Sequence, residues 1–336
     1  MISRAISWGL SKSGLAAARR KASGLKAVIL SYDKVLSPKD DIDHYPVDYA
    51  VQYAVFREHV RWLARLYDVI GLREFCRRFL TCKPFLRPTA ILTFDNGYIE
   101  TYDHVAPALE DHGLTGAVFL PTNLVGTFDR LFPQRAAEAA GGILSQREKL
   151  LTEFPDEGMP PECEFVVDLI VSAANERRFA QSFFDHLDDI PDDRREDVLR
   201  WFEQLGGVSE RTEPAHLTWT HVKALHEDGW EIGTRGATGA ACTGMEFSVV
   251  EAQLADSFRT VQEQTGQAPV GLCYPDGQHD EYIVRAAQRA GFLCAMTGDP
   301  GKADGASDLF ALPRIKINQR NAPSARALET LLSFVK

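Results

Sequence analysis

Short apolar runs alternating with amphipathic stretches constrain this chain more than any other feature. The runs lie at residues 25–31, 90–94, 116–120, 230–233, 271–274 and 293–297, each of a length suited to one buried strand. The stretches between them have helical periodicity and readable ends. Ser248 and Glu251 have capping-box spacing, and Gly113, Gly229 and Gly291 stand where C-terminal glycines belong. This rhythm predicts β/α units around a parallel sheet. A chain of 336 residues, 45% of them hydrophobic, is long enough to bury one large core and an additional module.

That module is expected at residues 126–213, where the strand rhythm stops and charge and helix formers dominate. Its acidic stretch "DHLDDIPDDRRED" is expected to form a solvated helix surface. Residues 1–24, ending close to "ARRK", are expected to form a helical extension packed on the main body. Residues 25–125 and 214–336 then make the two parts of the sheet domain.

The net charge of -10 leaves no excess of Lys and Arg for phosphate contacts, so general nucleic-acid binding is not expected. No apolar run is long enough to span a membrane, and Ser11, Lys12, Ser13 and Gly14 interrupt the N-terminal apolar positions. The cysteines Cys76, Cys82, Cys163, Cys242, Cys273 and Cys294 have no close-pairing motif and read as reduced. These features predict a cytoplasmic protein.

The segment "AILTFDNGYIETYDHVAPALEDHGLTGAVFLPTNLVG" (90–126) resembles the first signature of the polysaccharide deacetylase (NodB homology) family. "LTWTHVKALHEDGWEIGTRGATGAACT" (217–243), "GLCYPDGQHDEYIVRAAQRAGF" (271–292) and "FALPRIKI" (310–317) resemble later family motifs in the right order. "AVILSYDKV" (27–35) is similar to the first strand of insertion-bearing members. The resemblance implies an α/β fold, a distorted (β/α) barrel with a helical insertion. Its groove lies at the C-terminal ends of the strands, as in barrels generally.

Family members bind a divalent ion with an Asp following the catalytic Asp and with a His-x-x-x-His pair. The corresponding positions here are Asp95 for the base, Asn96 for the ligand Asp, and Arg235 and Gly239 for the histidines. Asp33 stands where insertion-bearing members usually have His. His216, His221 and His226 do not replace them, because five-residue spacing on a helix turns successive side chains by about 140°. A catalytic ion lowers the pKa of bound water from 15.7 to about 7, worth roughly 12 kcal/mol of nucleophile activation, which Asp95 alone does not supply. No metal and no other cofactor is therefore expected. Arg235 is expected to pair with Asp95, Asp33 or both.

The resemblance places Tyr274 and Asp276 in a loop that shapes one groove wall, although a plain strand-ending turn explains "YPDG" equally well. His279, a little further on, is expected on the surface. Asn96 is expected to line the pocket or to serve structurally, and Arg314 to make a structural ion pair or a substrate contact. The expected function is carbohydrate binding or altered chemistry on a deacetylase scaffold, with an acylated amino sugar as the ligand class. Three alternatives stand beside it. One is a metal-independent hydrolase or lyase that uses Asp95 as acid or base and Arg235 as an electrostatic clamp. Another is a non-catalytic partner in sugar-polymer biosynthesis that uses residues 126–213 as its contact surface. The last is a conventional carbohydrate deacetylase.

Overall fold

The structure, a computed structural model, describes residues 26–335 except 41, 82, 156–157, 173–174, 209–212 and 306. The extension expected at residues 1–24 and Cys82 lie outside the described residues. The chain divides into one unit of residues 1–38, 51–127 and 214–336 and another of residues 39–50 and 128–213.

In the first unit, eight parallel strands form the described sheet. They are β1 (Ala27–Tyr32), β2 (Asp68–Val69), β3 (Thr89–Asp95), β4 (Ala117–Leu120), β5 (Glu231–Thr234), β6 (Leu272–Cys273), β7 (Ala295–Met296) and β8 (Ile315–Ile317). Their order is β8-β1-β3-β4-β5-β6-β7, with β2 paired to the start of β3. Leu312, just ahead of β8, bridges Met296 of β7, while Ile315 to Ile317 pair with Leu30 to Tyr32 of β1. The same stretch therefore touches both ends of the path, and the sheet curls into the expected distorted barrel.

Side chains of successive strand residues point to opposite faces. Val28, Leu30, Tyr32, Leu92, Phe94, Val118, Leu120, Ile232, Ile315 and Ile317 form an outer layer. They pack with Phe56, Val60 and Leu63 of helix α1 (Tyr53–Leu66) and with other flanking residues. The opposite parity, including Ile29, Ile91, Phe119, Cys273 and Met296, fills the interior. Helix α2 (Leu72–Leu80) contributes Leu72, Phe75 and Cys76 to the same cluster. The Glu231 carboxylate, from the first residue of β5, accepts from the Leu72 and Arg73 backbone N–H groups. It thus meets the first N–H groups of α2, which have no partner within the helix, and favours its positive dipole end.

One local expectation fails. The long helix before β6, α3 (Phe247–Thr265), is preceded by Glu246 without a side-chain cap, so Ser248 lies inside the helix and forms no capping box with Glu251. A capping box forms instead between Thr218 and His221, at the start of the helix Trp219–Glu227. The C-terminal glycines behave as expected, with positive φ at Gly113, Gly229 and Gly291.

The second unit is helical and has its own core. Ala136, Ala139, Ala140 and Ile143 of the helix Phe132–Ser145 pack with Phe179, Phe183 and Leu187 of the helix Glu176–Asp188. Val198 and Phe202 of the helix Asp192–Leu205 complete the cluster. Asp185, Asp188, Asp189, Asp193, Glu196 and Asp197 are exposed, so the acidic stretch is a solvated surface. Two helices meet closely at Gly142, where a Cβ would lie 2.3 Å from the Gly206 carbonyl oxygen. Gly142→Ala should cost about 1–2 kcal/mol by forcing backbone apart. Denaturant unfolding followed by circular dichroism measures it, and an unchanged midpoint would show that the contact relaxes freely.

Candidate functional site

The strand alternation that fills the barrel interior also determines which polar groups meet at its C-terminal end. Ser31 continues the inward parity of Ala27 and Ile29, and Thr93 and Asp95 continue that of Ile91. Cys273 faces in from β6, while Arg314 has the parity opposite to the outward Ile315. Arg235 follows β5 directly, two residues after Gly233, and its backbone N–H donates to Leu120 O.

These side chains form one connected cluster. Arg314 grips Asp95 with both ends of its fork, Nη1 at 2.8 Å from Oδ1 and Nη2 at 2.9 Å from Oδ2. Arg235 Nη1 adds a second donor to Oδ2 at 2.9 Å, and Ser31 Oγ a third at 3.3 Å. The Cys273 thiol lies 2.8 Å from Arg314 Nη2 and 3.6 Å from both Arg235 Nη1 and Asp95 Oδ2. Arg314 Nε donates to Thr297 O at 3.2 Å. Asp95 is 2% exposed, Arg314 6% and Arg235 8%, so this is an interior ion cluster.

Burial alone would raise the Asp95 pKa, but Arg314 first and Arg235 second overcome it and hold the carboxyl down to about 2. Burial lowers the pKa of both guanidiniums, but their neighbours raise it further, Cys273 and then Asp95 for Arg235, and Asp95 and then Cys273 for Arg314. Burial pushes the Cys273 thiol up to about 12, so it is protonated at neutral pH. Arg235 Nε is buried without a hydrogen bond to any described residue. Leaving such a donor unmatched costs about 1–3 kcal/mol.

The other candidate residues are placed differently. Asp33 pairs with Lys316 at 2.7 Å and acts on Arg235 and Arg314 only through its field. Asn96 has φ 70°, a left-handed conformation that Asn tolerates, and its carbonyl accepts from His216 Nδ1 at 2.9 Å. Tyr274 faces the outer layer beside Val250, Leu254 and Ile283, its hydroxyl donating to Phe310 O at 3.0 Å. Asp276 is exposed, with φ 54°, and no hydrogen bond or ion pair among the described residues joins it to the cluster. The structure thus brings Asp95, Arg235 and Arg314 together, and it adds Cys273 and Ser31, whose inward parity was the only signal for them.

The histidines are engaged separately. His216 stacks on Tyr98, and His221 accepts from the Thr218 backbone N–H and stacks on Tyr102. His226 Nδ1 faces Trp230 O at 3.4 Å. His279, expected on the surface, is half-buried and stacks on Tyr274 with ring centroids 5.0 Å apart. Among the described residues no group of three or more His, Cys, Asp or Glu is placed to hold a metal ion. No described helix is long and apolar enough to cross a membrane.

Comparison with known proteins relates this parallel β/α barrel, with its polar cluster at the strand ends, to polysaccharide deacetylases. The family described as "Polysaccharide deacetylase" matches residues 190–295. YxkH of Bacillus subtilis (strain 168), provisionally named a polysaccharide deacetylase, is 24% identical over 110 residues. That match spans 33% of this chain and only 39% of the relative. Among solved structures, the Streptococcus pyogenes deacetylase PplD in complex with acetate superposes with TM-score 0.61 at 15% identity, covering 92% of this chain and 98% of that one. IcaB from Ammonifex degensii gives 0.58 at 12%, covering 91% and 97%. Likeness at this identity establishes the shared fold.

Proposed function

We propose that this chain is a carbohydrate-binding member of the polysaccharide deacetylase-like proteins in which a buried Arg–Asp–Arg cluster replaces the divalent ion. In this reading, ordinary metal-dependent N- or O-deacetylation is lost. The observation that carries the proposal is the occupation of both Asp95 oxygens by guanidinium donors. A dication at the usual ligand position, next to Asp95, would sit beside these cations. At an effective dielectric near 20, a guanidinium about 4 Å from a dication costs on the order of 8 kcal/mol. Asn96, Arg235 and Gly239 offer an amide, a cation and no side chain in return. These residues do not fit a divalent ion. The name of YxkH, a provisional polysaccharide deacetylase, supports a saccharide as the ligand class.

The geometry does not favour Asp95 as a general base. A carboxylate held near pKa 2 binds a proton poorly at neutral pH, whereas a useful base titrates near the working pH. The five described cysteines are buried free thiols, which supports a reducing compartment.

Elemental analysis of the purified chain tests the metal side of the proposal. The expected result is less than one tenth of an equivalent, roughly, of zinc, cobalt or nickel, with a melting temperature unaffected by a strong chelator. One tightly held ion per chain, whose removal lowers the melting temperature, would overturn it. Calorimetric titration with amino-sugar and uronate oligosaccharides tests the binding side.

A further inference from the structure

The two arginines of the cluster are used unequally. Arg314 commits its whole fork to the protein: Nε to Thr297 O, Nη1 to Asp95 Oδ1, and Nη2 to Asp95 Oδ2 and Cys273. Arg235 commits only Nη1, to Asp95 and Cys273. Its Nε is buried and bonds to no described residue, and no hydrogen bond joins Nη2 to one. Nε and Nη2 lie along one edge of the planar guanidinium, with the spacing that matches the two oxygens of a carboxylate.

Charge points the same way. Asp95 balances one of the two guanidiniums, Asp33 is matched by Lys316, and Glu100 is matched by Lys34 at 2.7 Å. The thiol of Cys273 contributes no negative charge at neutral pH. The two guanidiniums therefore share one directly bonded carboxylate, Asp33 reaching them through its field alone, and the donor edge of Arg235 has no partner among the described residues. Buried charges are ordinarily paired.

We infer that the ligand is an acidic saccharide whose carboxylate docks on the Nε–Nη2 edge of Arg235. The inference rests on the carbohydrate-binding reading and narrows it from sugars in general to uronate-type sugars. Arg235 is then the specificity-determining residue, and Asp95 and Arg314 are positioning residues that hold its Nη1 end and so aim the opposite edge.

The test is calorimetric titration of the full chain with three probes: a glucuronate-containing disaccharide, its carboxyl-reduced neutral counterpart, and inorganic phosphate. The acidic disaccharide should bind roughly 10- to 100-fold more tightly than the neutral one, as expected for charge-assisted hydrogen bonds, and more weakly at high salt. Arg235→Lys should lose most of that preference, because an ammonium keeps the charge without the fork, and Arg235→Met should lose all of it. Melting curves establish whether each variant is folded. If one is not, the comparison of acidic with neutral sugar on the unmodified chain decides alone. Equal affinity for the two disaccharides overturns this inference and leaves the carbohydrate-binding reading in place. Phosphate binding as tight as that of the acidic sugar, with the same dependence on Arg235, overturns the carboxylate assignment. Binding of no saccharide at all removes both.

Discussion

Asparagine in place of Asp95 lowers the unfolding free energy by about 3–5 kcal/mol, because it strips the shared counter-ion from two buried guanidiniums and leaves their donors against a neutral amide. Arg235→Met alone should have a far smaller effect, since the bidentate Arg314–Asp95 pair survives it as a balanced unit. The decisive measurement is a double-mutant cycle. Adding Arg235→Met to Asp95→Asn should recover part of the loss, because only one uncompensated cation then remains. Strict additivity of the two single effects would mean that Arg235 and Asp95 are not energetically coupled, and the cluster described above would lose its basis.

Acid should unfold the barrel through the same carboxyl. Asp95 titrates near 3.8 in the unfolded chain and at about 2 when folded. A depressed folded-state pKa contributes stability that is fully present above the unfolded value. That stability is lost as pH falls through the folded value, so the window runs from about pH 4 down to about pH 2. The contribution is about 2–3 kcal/mol at neutral pH. Denaturant midpoints measured across that window should fall for the unmodified chain and fall distinctly less for Asp95→Asn, which has no carboxyl to titrate. Parallel slopes for the two proteins would assign the acid sensitivity to other groups.

Much of this arrangement was legible in the sequence. Every strand-like run lies on a strand of the sheet, because a fully buried parallel strand leaves a dense apolar signature. Strand β2, only Asp68–Val69, was too short and too polar to leave one. Ser248 and Glu251 have the spacing of a capping box without its position, because the chain enters the long helix at Glu246 and Ser248 falls inside the first turn. Pairing of Arg235 with Asp95 could be anticipated from the substitution of a cation near a surviving acid. The bidentate grip of Arg314 could not, since residues 95 and 314 meet only through the register of β8 on β1 and β1 on β3. Motif resemblance groups Tyr274 and Asp276 with the site, yet strand parity turns Tyr274 outward and only Cys273 inward. The membership of residues 39–50 in the helical unit was equally hidden, because it depends on non-local contacts such as Tyr49 against Phe184.

The pairing of β1 with β8 has a consequence for synthesis. Leu30 meets Ile315, so the outer edge of the first strand finds its partner only after about 285 further residues have been made, at 5–20 residues per second a delay of roughly 15–60 s. During that interval one flank of an apolar strand stands ready to join any other extended segment. A nascent chain halted before β8 should therefore be the form most dependent on chaperones.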